Sequence, residues 1–323
     1  MFDFFPVHST DFNGPVLITG AGGCIGSWAI ALLVNAGVPV VVYDLSKDQS
    51  RPLLLLDKAL LDKVTWVCGD IADTQAVSDV VSAHGVESII HLAGLQVPFC
   101  KADPAAGVNV NVLGTINVLE AARHANLKRV TYASSMAAVS FLPGAAWLET
   151  LYGAYKVCNE MTARVYMQDW GVPSVGIRPG VVYGVARDQG LSSKTTIAIL
   201  AAAAGKPYTV PFTGPVSALH AGEVASAFIR AVSADRTEAK VFDINGRSTS
   251  VAEMLNIIGE ISPEADLGMT GEDLPFPADL SDEPIINYLG DFGQVPLETG
   301  IRNTYKAFQD LLSRGLISVD TIC

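Results

Sequence analysis

Tyr152 and Lys156 stand four residues apart in the run Tyr152-Gly-Ala-Tyr155-Lys156. That spacing puts both side chains on one face of a helix. A tyrosine, with an ordinary pKa of about 10, carries protons usefully near neutrality only if its phenolate is favoured. An ammonium one helical turn away does this, so the pair is a candidate acid/base couple. Tyr155 is the rival phenol, but it directly precedes the lysine and faces elsewhere. Ser134-Ser135 follows an apolar run at 129–133, and a hydroxyl there could hydrogen-bond a substrate oxygen. Ser135 is the preferred of the two.

The second stretch with chemistry is 16–26, V-L-I-T-G-A-G-G-C-I-G. Val16, Leu17 and Ile18 suit a buried parallel strand, and an apolar helical pattern starts at Ile25. Between them lie Gly20, Gly23 and Gly26. A glycine turn of this kind lets backbone approach a pyrophosphate, and the helix N-terminus adds free N–H groups and a positive dipole end. The spacing is G-x-x-G-x-x-G, not the G-x-G-x-x-G of many dehydrogenases. Asp44 ends a second apolar run at 38–43, where a carboxylate receives ribose hydroxyls and repels a 2′-phosphate. This favours NAD over NADP, against the nearby charges of Lys47 and Arg51.

Such groups need a frame. Strand-like runs recur at 64–68, 88–92, 129–133 and 175–178, alternating with helical patterns at 74–84, 105–126 and 152–170. Asp73 is a cap for the first of these helices, and Gly171 closes the last. The alternation predicts βαβ units in an α/β fold, a doubly wound parallel sheet of Rossmann type. Helix 105–126 is apolar on several sides, so one side meets the sheet and another a second subunit. Past Pro179 the pattern loosens. The expected organisation is an N-terminal arm (1–15) folded back on the surface, a dinucleotide-binding domain (16–180) and a smaller C-terminal substrate lobe (181–323), with strands free to interleave. Ser250-x-x-Glu253 reads as a capping box, 262–296 as loop, and a last helix falls near 303–314.

Composition narrows the function. Half of the 323 residues are apolar, enough for a sizeable core, and the net charge of −12 disfavours nucleic acid or an anionic membrane as partner. No apolar run reaches the ~18 residues of a membrane span. Residues 1–15 lack the basic start and apolar stretch of a signal peptide. The five cysteines are unclustered, with no metal spacing, which fits a reducing cytoplasm.

In order and spacing, Thr19 to Gly26, Asp70-Ile71, His91-Leu-Ala-Gly94, Asn111-Val-Leu-Gly-Thr115, Ser134-Ser135, Tyr152 to Lys156 and Arg178-Pro179-Gly-Val-Val-Tyr183-Gly184 resemble the extended short-chain dehydrogenase/reductase family, of the NAD-dependent epimerase/dehydratase type. Fainter echoes continue at His220-Ala-Gly-Glu223 and Val241-Phe-Asp-Ile-Asn245-Gly246. The resemblance implies NAD as cofactor. Gly20, Gly23, Cys24, Ile25 and Gly26 would hold its pyrophosphate, Asp44 its ribose, and Asp70 with Ile71 its adenine. Leu92, Ala93 and Gly94 would line its path, and Pro179, Gly180 and Val182 would pass near the nicotinamide. Tyr152 would be the general acid/base, Lys156 would bind the ribose and lower the tyrosine pKa, and Ser135 would orient the carbonyl. Asn111 would fix its helix around a water supporting Lys156. The family also commonly forms a homodimer through the helices at 105–126 and 152–170.

Three departures shape the expected reaction. Met136 and Ala137 follow Ser135, where dehydratases of the family carry acidic residues. The approach to His220 has no arginine for a nucleotide diphosphate, and His220 itself reads as a structural residue. The connection from Ser135 to Tyr152 is short and apolar, which implies a compact pocket. Gln96, Arg187, Ser192, Ser193, Lys194 and Thr195 are candidate substrate-side polar residues, and Arg187 or Lys194 could pair with a carboxylate. The expected function is therefore NAD-dependent oxidation or reduction of a small polar alcohol or carbonyl, such as a sugar acid or hydroxy acid. The alternatives are a sugar or nucleotide-sugar epimerase and, third, a non-catalytic NAD-sensing module.

Overall fold

The computed structural model describes residues 2–145 and 148–319. Seven parallel strands form its main sheet: β1 (Val16–Thr19), β2 (Val40–Asp44), β3 (Thr65–Cys68), β4 (Ser88–His91), β5 (Val130–Ala133), β6 (Ser174–Pro179) and, from late in the chain, β10 (Ala239–Ile244). Their order is β10-β6-β5-β4-β1-β2-β3, and every adjacent pair is parallel. The order reverses at β1, so the chain runs outward first to one edge and then to the other. A parallel sheet buries both faces, which is why β1, β2 and β4 read as apolar runs. The expected doubly wound Rossmann-type sheet is what forms.

Helices cover both faces. One side carries α1 (Cys24–Asn35), a four-residue α2 (Lys58–Leu61) and α9 (Ala221–Val232), with Trp28, Ile30 and Phe228 in its core. The other carries α3 (Thr74–Ala83), α6 (Gly114–His124) and α7 (Leu151–Trp170), closed around Val77, Leu119, Tyr132 and Tyr166. Two short helices, α4 (Val97–Ala102) and α5 (Pro104–Val108), lead from β4 towards α6. Asp73 caps α3 as expected, accepting from the Gln75 and Ala76 amides. Gly171 closes α7 at φ 65°, a conformation that glycine takes without strain.

Beyond β6, a smaller lobe contains β7 (Val182–Tyr183), α8 (Lys194–Ala203), β8 (Tyr208–Val210), β9 (Pro215–His220), β11 (Arg247–Ser250), α10 (Val251–Ile261), β12 (Leu267–Met269), α11 (Glu283–Leu289) and α12 (Leu297–Ser313). The chain crosses back from this lobe to supply α9 and β10 to the main sheet.

Several local expectations need correction. The helix expected at 105–126 is interrupted by a π turn over Asn109–Leu113. Segment 262–296 is not all loop: β12 pairs with β8, and α11 starts with a proline in its first turn, where no amide is needed. The last helix begins earlier, at Leu297, because Gly300 packs against the Tyr183 hydroxyl and extends the buried stripe through Ile301 and Tyr305. Ser250 accepts from the Glu253 amide, but the Glu253 carboxylate takes the Thr249 hydroxyl instead of closing a capping box. The reciprocal box forms at α9, between His220 and Glu223.

The N-terminal arm lies over the surface but inserts one side chain. Phe5 is buried, stacks on the His220 ring at 5.8 Å and meets Trp28 edge-on at 6.1 Å. Cys24, Cys68, Cys100 and Cys158 are free thiols, and Cys323 lies outside the described residues. Among the described residues no helix is long and apolar enough to cross a membrane.

Candidate active site

A cleft of about 730 Å³ runs along the C-terminal ends of β1, β2, β4, β5 and β6. Open α/β sheets bind ligands at this edge, where the strand order reverses. Gly20, Gly23, Cys24, Ile25, Gly26, Asp44, Asp70, Ile71, Leu92, Ala93, Gly94, Pro179, Gly180 and Val182 all line it, as do Ser135, Tyr152 and Lys156. The tertiary structure thus brings together residues spread over more than 150 positions.

The turn at one end is held by backbone approach. Gly20 adopts φ 68°, and a Cβ there would lie 2.5 Å from the Ala93 amide nitrogen. A Cβ on Gly26 would lie 2.6 Å from the Ala21 Cα. Only glycine permits either contact. No side chain caps α1, so its first amides remain available to a ligand, as at any helix N-terminus. The Asp44 carboxylate sits beside the turn, accepting from the Gly22 amide at 2.9 Å and the Leu45 amide at 2.8 Å. Cys24 directs its sulfur towards the Val185 carbonyl, and burial pushes its thiol up to about 12. It is a packing residue without thiolate character.

At the floor of the cleft, His91 Nδ1 lies 2.7 Å from Thr19 Oγ1 and Nε2 lies 3.1 Å from Thr115 Oγ1. Burial holds this ring neutral, with a pKa lowered to about 3. It ties β1 and β4 to α6.

The two candidate serines diverge. Ser134 is buried and donates to Glu160, which also takes two hydrogen bonds from Arg178, at 2.7 and 2.6 Å. Ser135 accepts from the Ala137 amide at 3.1 Å and faces the Tyr152 phenol oxygen, favouring the phenolate. Tyr155 points away and donates to the Pro104 carbonyl. Tyr152 and Lys156 share a helix face, as the spacing requires, with Lys156 Nζ 5.4 Å from the tyrosine ring centroid.

The expected electrostatic effect of Lys156 on Tyr152 does not hold in this arrangement. Burial raises the Tyr152 pKa above its ordinary value, opposed chiefly by Ser135. Lys156 is also buried, which lowers its own pKa to about 8, and its ammonium donates to the Ala133 carbonyl at 2.6 Å. The ammonium is therefore directed at β5 and not at the phenol oxygen.

Asn111 lies behind this pair. The π turn frees its carbonyl to accept from Thr115 Oγ1 at 2.8 Å and Asn159 Nδ2 at 2.9 Å. Its side-chain Nδ2 donates to the Leu95 and Gly107 carbonyls, while its Oδ1 is buried without a partner. A Cβ on Gly94 would lie 2.8 Å from that Oδ1 and 3.5 Å from Lys156 Nζ. Glycine at 94 thus lets Asn111 and Lys156 approach the same spot.

Of the substrate candidates, Gln96 and Arg187 line the cleft and Lys194 does not. The 3₁₀ turn Leu191–Ser193 brings Ser192 to the cleft, and Lys194 then opens α8. The Ser135-to-Tyr152 connection, expected to bound the pocket, contributes Met136, Ala137, Leu148 and Thr150 to the cleft, whereas sequence reasoning missed 275–277. It also assigned Arg51 no contact. Arg51 donates to the Gly22 carbonyl at 3.0 Å and to both oxygens of Asp188. Nothing local marks the Pro275-Phe276-Pro277 segment, which reaches the cleft from the other lobe. Ala146 and Trp147, in the expected short apolar connection, lie outside the described residues.

The residues fit a dinucleotide: a glycine turn with an uncapped helix behind it, a carboxylate at the end of β2, and a long cleft continuing to a phenol. The profile of the NAD dependent epimerase/dehydratase family matches residues 16–245. The chain belongs to that family, and NAD is its cofactor. It is 32% identical over 182 residues to a UDP-glucose 4-epimerase of Mycolicibacterium smegmatis, covering 53% of this chain and 57% of that one. Similarity to such curated relatives spans about half their length. Among solved structures, UDP-glucose 4-epimerase of Thermotoga maritima superimposes with a TM-score of 0.77 at 22% identity, covering 92% of this chain and 99% of that one. L-threonine dehydrogenase of Clostridium difficile gives 0.78 at 20% identity, covering 94% and 99%.

Proposed function

We propose that this protein is an NAD-dependent oxidoreductase that interconverts a secondary alcohol and a carbonyl on a small polar substrate. The observation that carries this reading is the disposition of positive charge. Among the described residues, the cations lining the cleft are Arg51, Lys156 and Arg187. Arg51 is paired with Asp188, and Lys156 is committed to the Ala133 carbonyl beside Tyr152. A nucleotide-diphosphate sugar would bring a second diphosphate and require further charge-assisted contacts. Only Arg187 is left to make them.

In the oxidising direction Tyr152, as the phenolate that Ser135 favours, takes the proton of the substrate hydroxyl while Ser135 hydrogen-bonds the substrate oxygen. In the reducing direction the Tyr152 hydroxyl returns that proton to the carbonyl. NAD, when bound, exchanges hydride with the substrate carbon. Lys156 holds the ribose, Asn111 keeps Lys156 and the π turn in place, and the 20–26 turn, Asp44, Asp70 and Ile71 hold the rest of the dinucleotide. Met136 and Ala137, beside Ser135, offer no proton carrier for an elimination, which argues against dehydration.

A second reading, an NAD-dependent epimerase, is favoured by the similarity to UDP-glucose 4-epimerase over half the chain. The two differ in the fate of the cofactor. Purified protein incubated with NAD and a panel of small hydroxy acids, sugar acids, polyols and UDP-sugars is expected to form NADH with one small substrate, and to lose that activity in Tyr152→Phe. NAD that survives purification bound to the protein, without net NADH but with interconversion of a UDP-sugar, would establish the epimerase instead.

The same proposal includes a homodimer. Val108 and Leu113, flanking and within the π turn, and Met161 and Val165 on α7 are large apolar side chains left exposed, on the two elements expected to pair across subunits.

A further inference from the structure

We infer that the substrate is an acid, and that its carboxylate is bound by Arg187 with Ser192 and Gln96 beside it. This rests on the oxidoreductase reading for the identity of the reacting group, but the anion site stands on its own geometry.

Arg187 lines the cleft and makes no salt bridge among the described residues. Its neighbour in the chain, Asp188, has both oxygens occupied by Arg51. One Arg187 Nη2 hydrogen bond runs to Ser192 Oγ at 3.2 Å, and its Nε is buried without any acceptor. A buried guanidinium N–H with no protein partner is costly, and groups of this kind are satisfied by water, an ion or a ligand. The planar guanidinium matches a carboxylate with two parallel hydrogen bonds.

The backbone is arranged to hold this side chain. Ala186, buried, adopts φ 70°, an uncommon conformation for a residue with a Cβ. It is fixed on both sides: the Val185 carbonyl accepts from Trp28 Nε1 at 2.9 Å, and the Arg187 amide donates to the Gly184 carbonyl at 3.1 Å. Strain of this sort persists where surrounding structure enforces it, often at ligand sites. Gly190 makes room on the other side. A Cβ there would lie 2.9 Å from Gln96 Oε1 and 3.3 Å from Arg187 Nη2, so the glutamine that precedes α4 and the arginine from the loop after β7 flank one point. The charge of Arg187 acts on the Tyr152 phenol. A carboxylate on Arg187 is thus presented near the acid/base.

Arg187 also acts on Cys24 in the glycine turn, so a phosphate of the dinucleotide is the competing source of negative charge. Calorimetry of the NADH-loaded protein separates the two. The probes are glycerate, threonate and gluconate, with glycerol, threitol and sorbitol as their neutral counterparts. At least one acid is expected to bind while its polyol does not. Arg187→Met is expected to weaken that acid by about 30-fold, the scale of a lost charge-assisted pair, with NADH affinity changed less than about 3-fold. Tyr152→Phe should bind the acid with near wild-type affinity. The proposal is overturned if acids bind no better than polyols, or if Arg187→Met weakens NADH as much as it weakens the acid. An acid that binds through Arg187 and is never oxidised supports the anion site and counts against the oxidoreductase reading alone.

Discussion

Arg51 and Asp188, 137 positions apart, face each other through two hydrogen bonds of 2.9 and 3.0 Å. The pair links the loop after β2, beside the glycine turn, to the loop that carries Arg187. The cofactor end of the cleft is thereby tied to the segment proposed to hold the substrate. Both side chains are partly exposed, at 20% and 45%, and such a pair contributes modestly. Asp188→Asn is expected to raise the NADH dissociation rate by about 3-fold, read by stopped-flow fluorescence. An unchanged rate would mean that the two loops move independently.

Tyr152→Phe removes the hydroxyl and leaves the ring in its packing. It is expected to lower kcat by about 10³-fold, within the usual range for a positioned acid/base, while NAD still binds. Retention of more than a tenth of the activity would assign proton transfer to another group.

Lys156 has a pH signature. Burial lowers its pKa from 10.5 to about 8. Between these values the unfolded chain holds a proton that the folded chain has released. The Lys156 contribution to stability therefore improves as pH rises from about 8 towards 10.5, and the full cost of the buried ammonium is present below 8. Thermal melts of cofactor-free wild type and Lys156→Met should show a difference that moves in favour of wild type across that window. A difference independent of pH would mean that the ammonium is better solvated than its surroundings indicate.

Glu160 and Arg178 form a buried pair behind the site, with side-chain exposures of 7% and 13%. Ser134 and Asp243 complete the network. Removing one partner strands the other charge, so Glu160→Ala is expected to destabilise the fold by about 3 kcal/mol in urea titration. Asp243 alone compensating for the loss would show as a change below about 1 kcal/mol.

The proposed dimer is tested on its exposed apolar side chains. Sedimentation of wild type at micromolar concentration is expected to show a dimer, and Met161→Glu with Val165→Glu a monomer that still binds NAD. A wild-type monomer would refute the assembly.

What the sequence determined by itself is local. Buried strands, the glycine turn, the Asp73 cap and the i,i+4 placement of Tyr152 and Lys156 depend on residues within a turn or two of one another, where side-chain periodicity and backbone sterics act directly. The ordered series of motifs carried the family and its cofactor for the same reason. Tertiary structure decided what depends on distant neighbours. Burial set the direction of the Tyr152 shift, and the Ala133 carbonyl drew Lys156 away from the phenol oxygen. A 3₁₀ turn decided among the candidates at 192–195, placing Ser192 at the cleft and Lys194 off it. Phe5 left the surface because His220 and Trp28, more than 190 positions apart, offered it one aromatic pocket. Desolvation and packing belong to the assembled environment, so no window of sequence contains them.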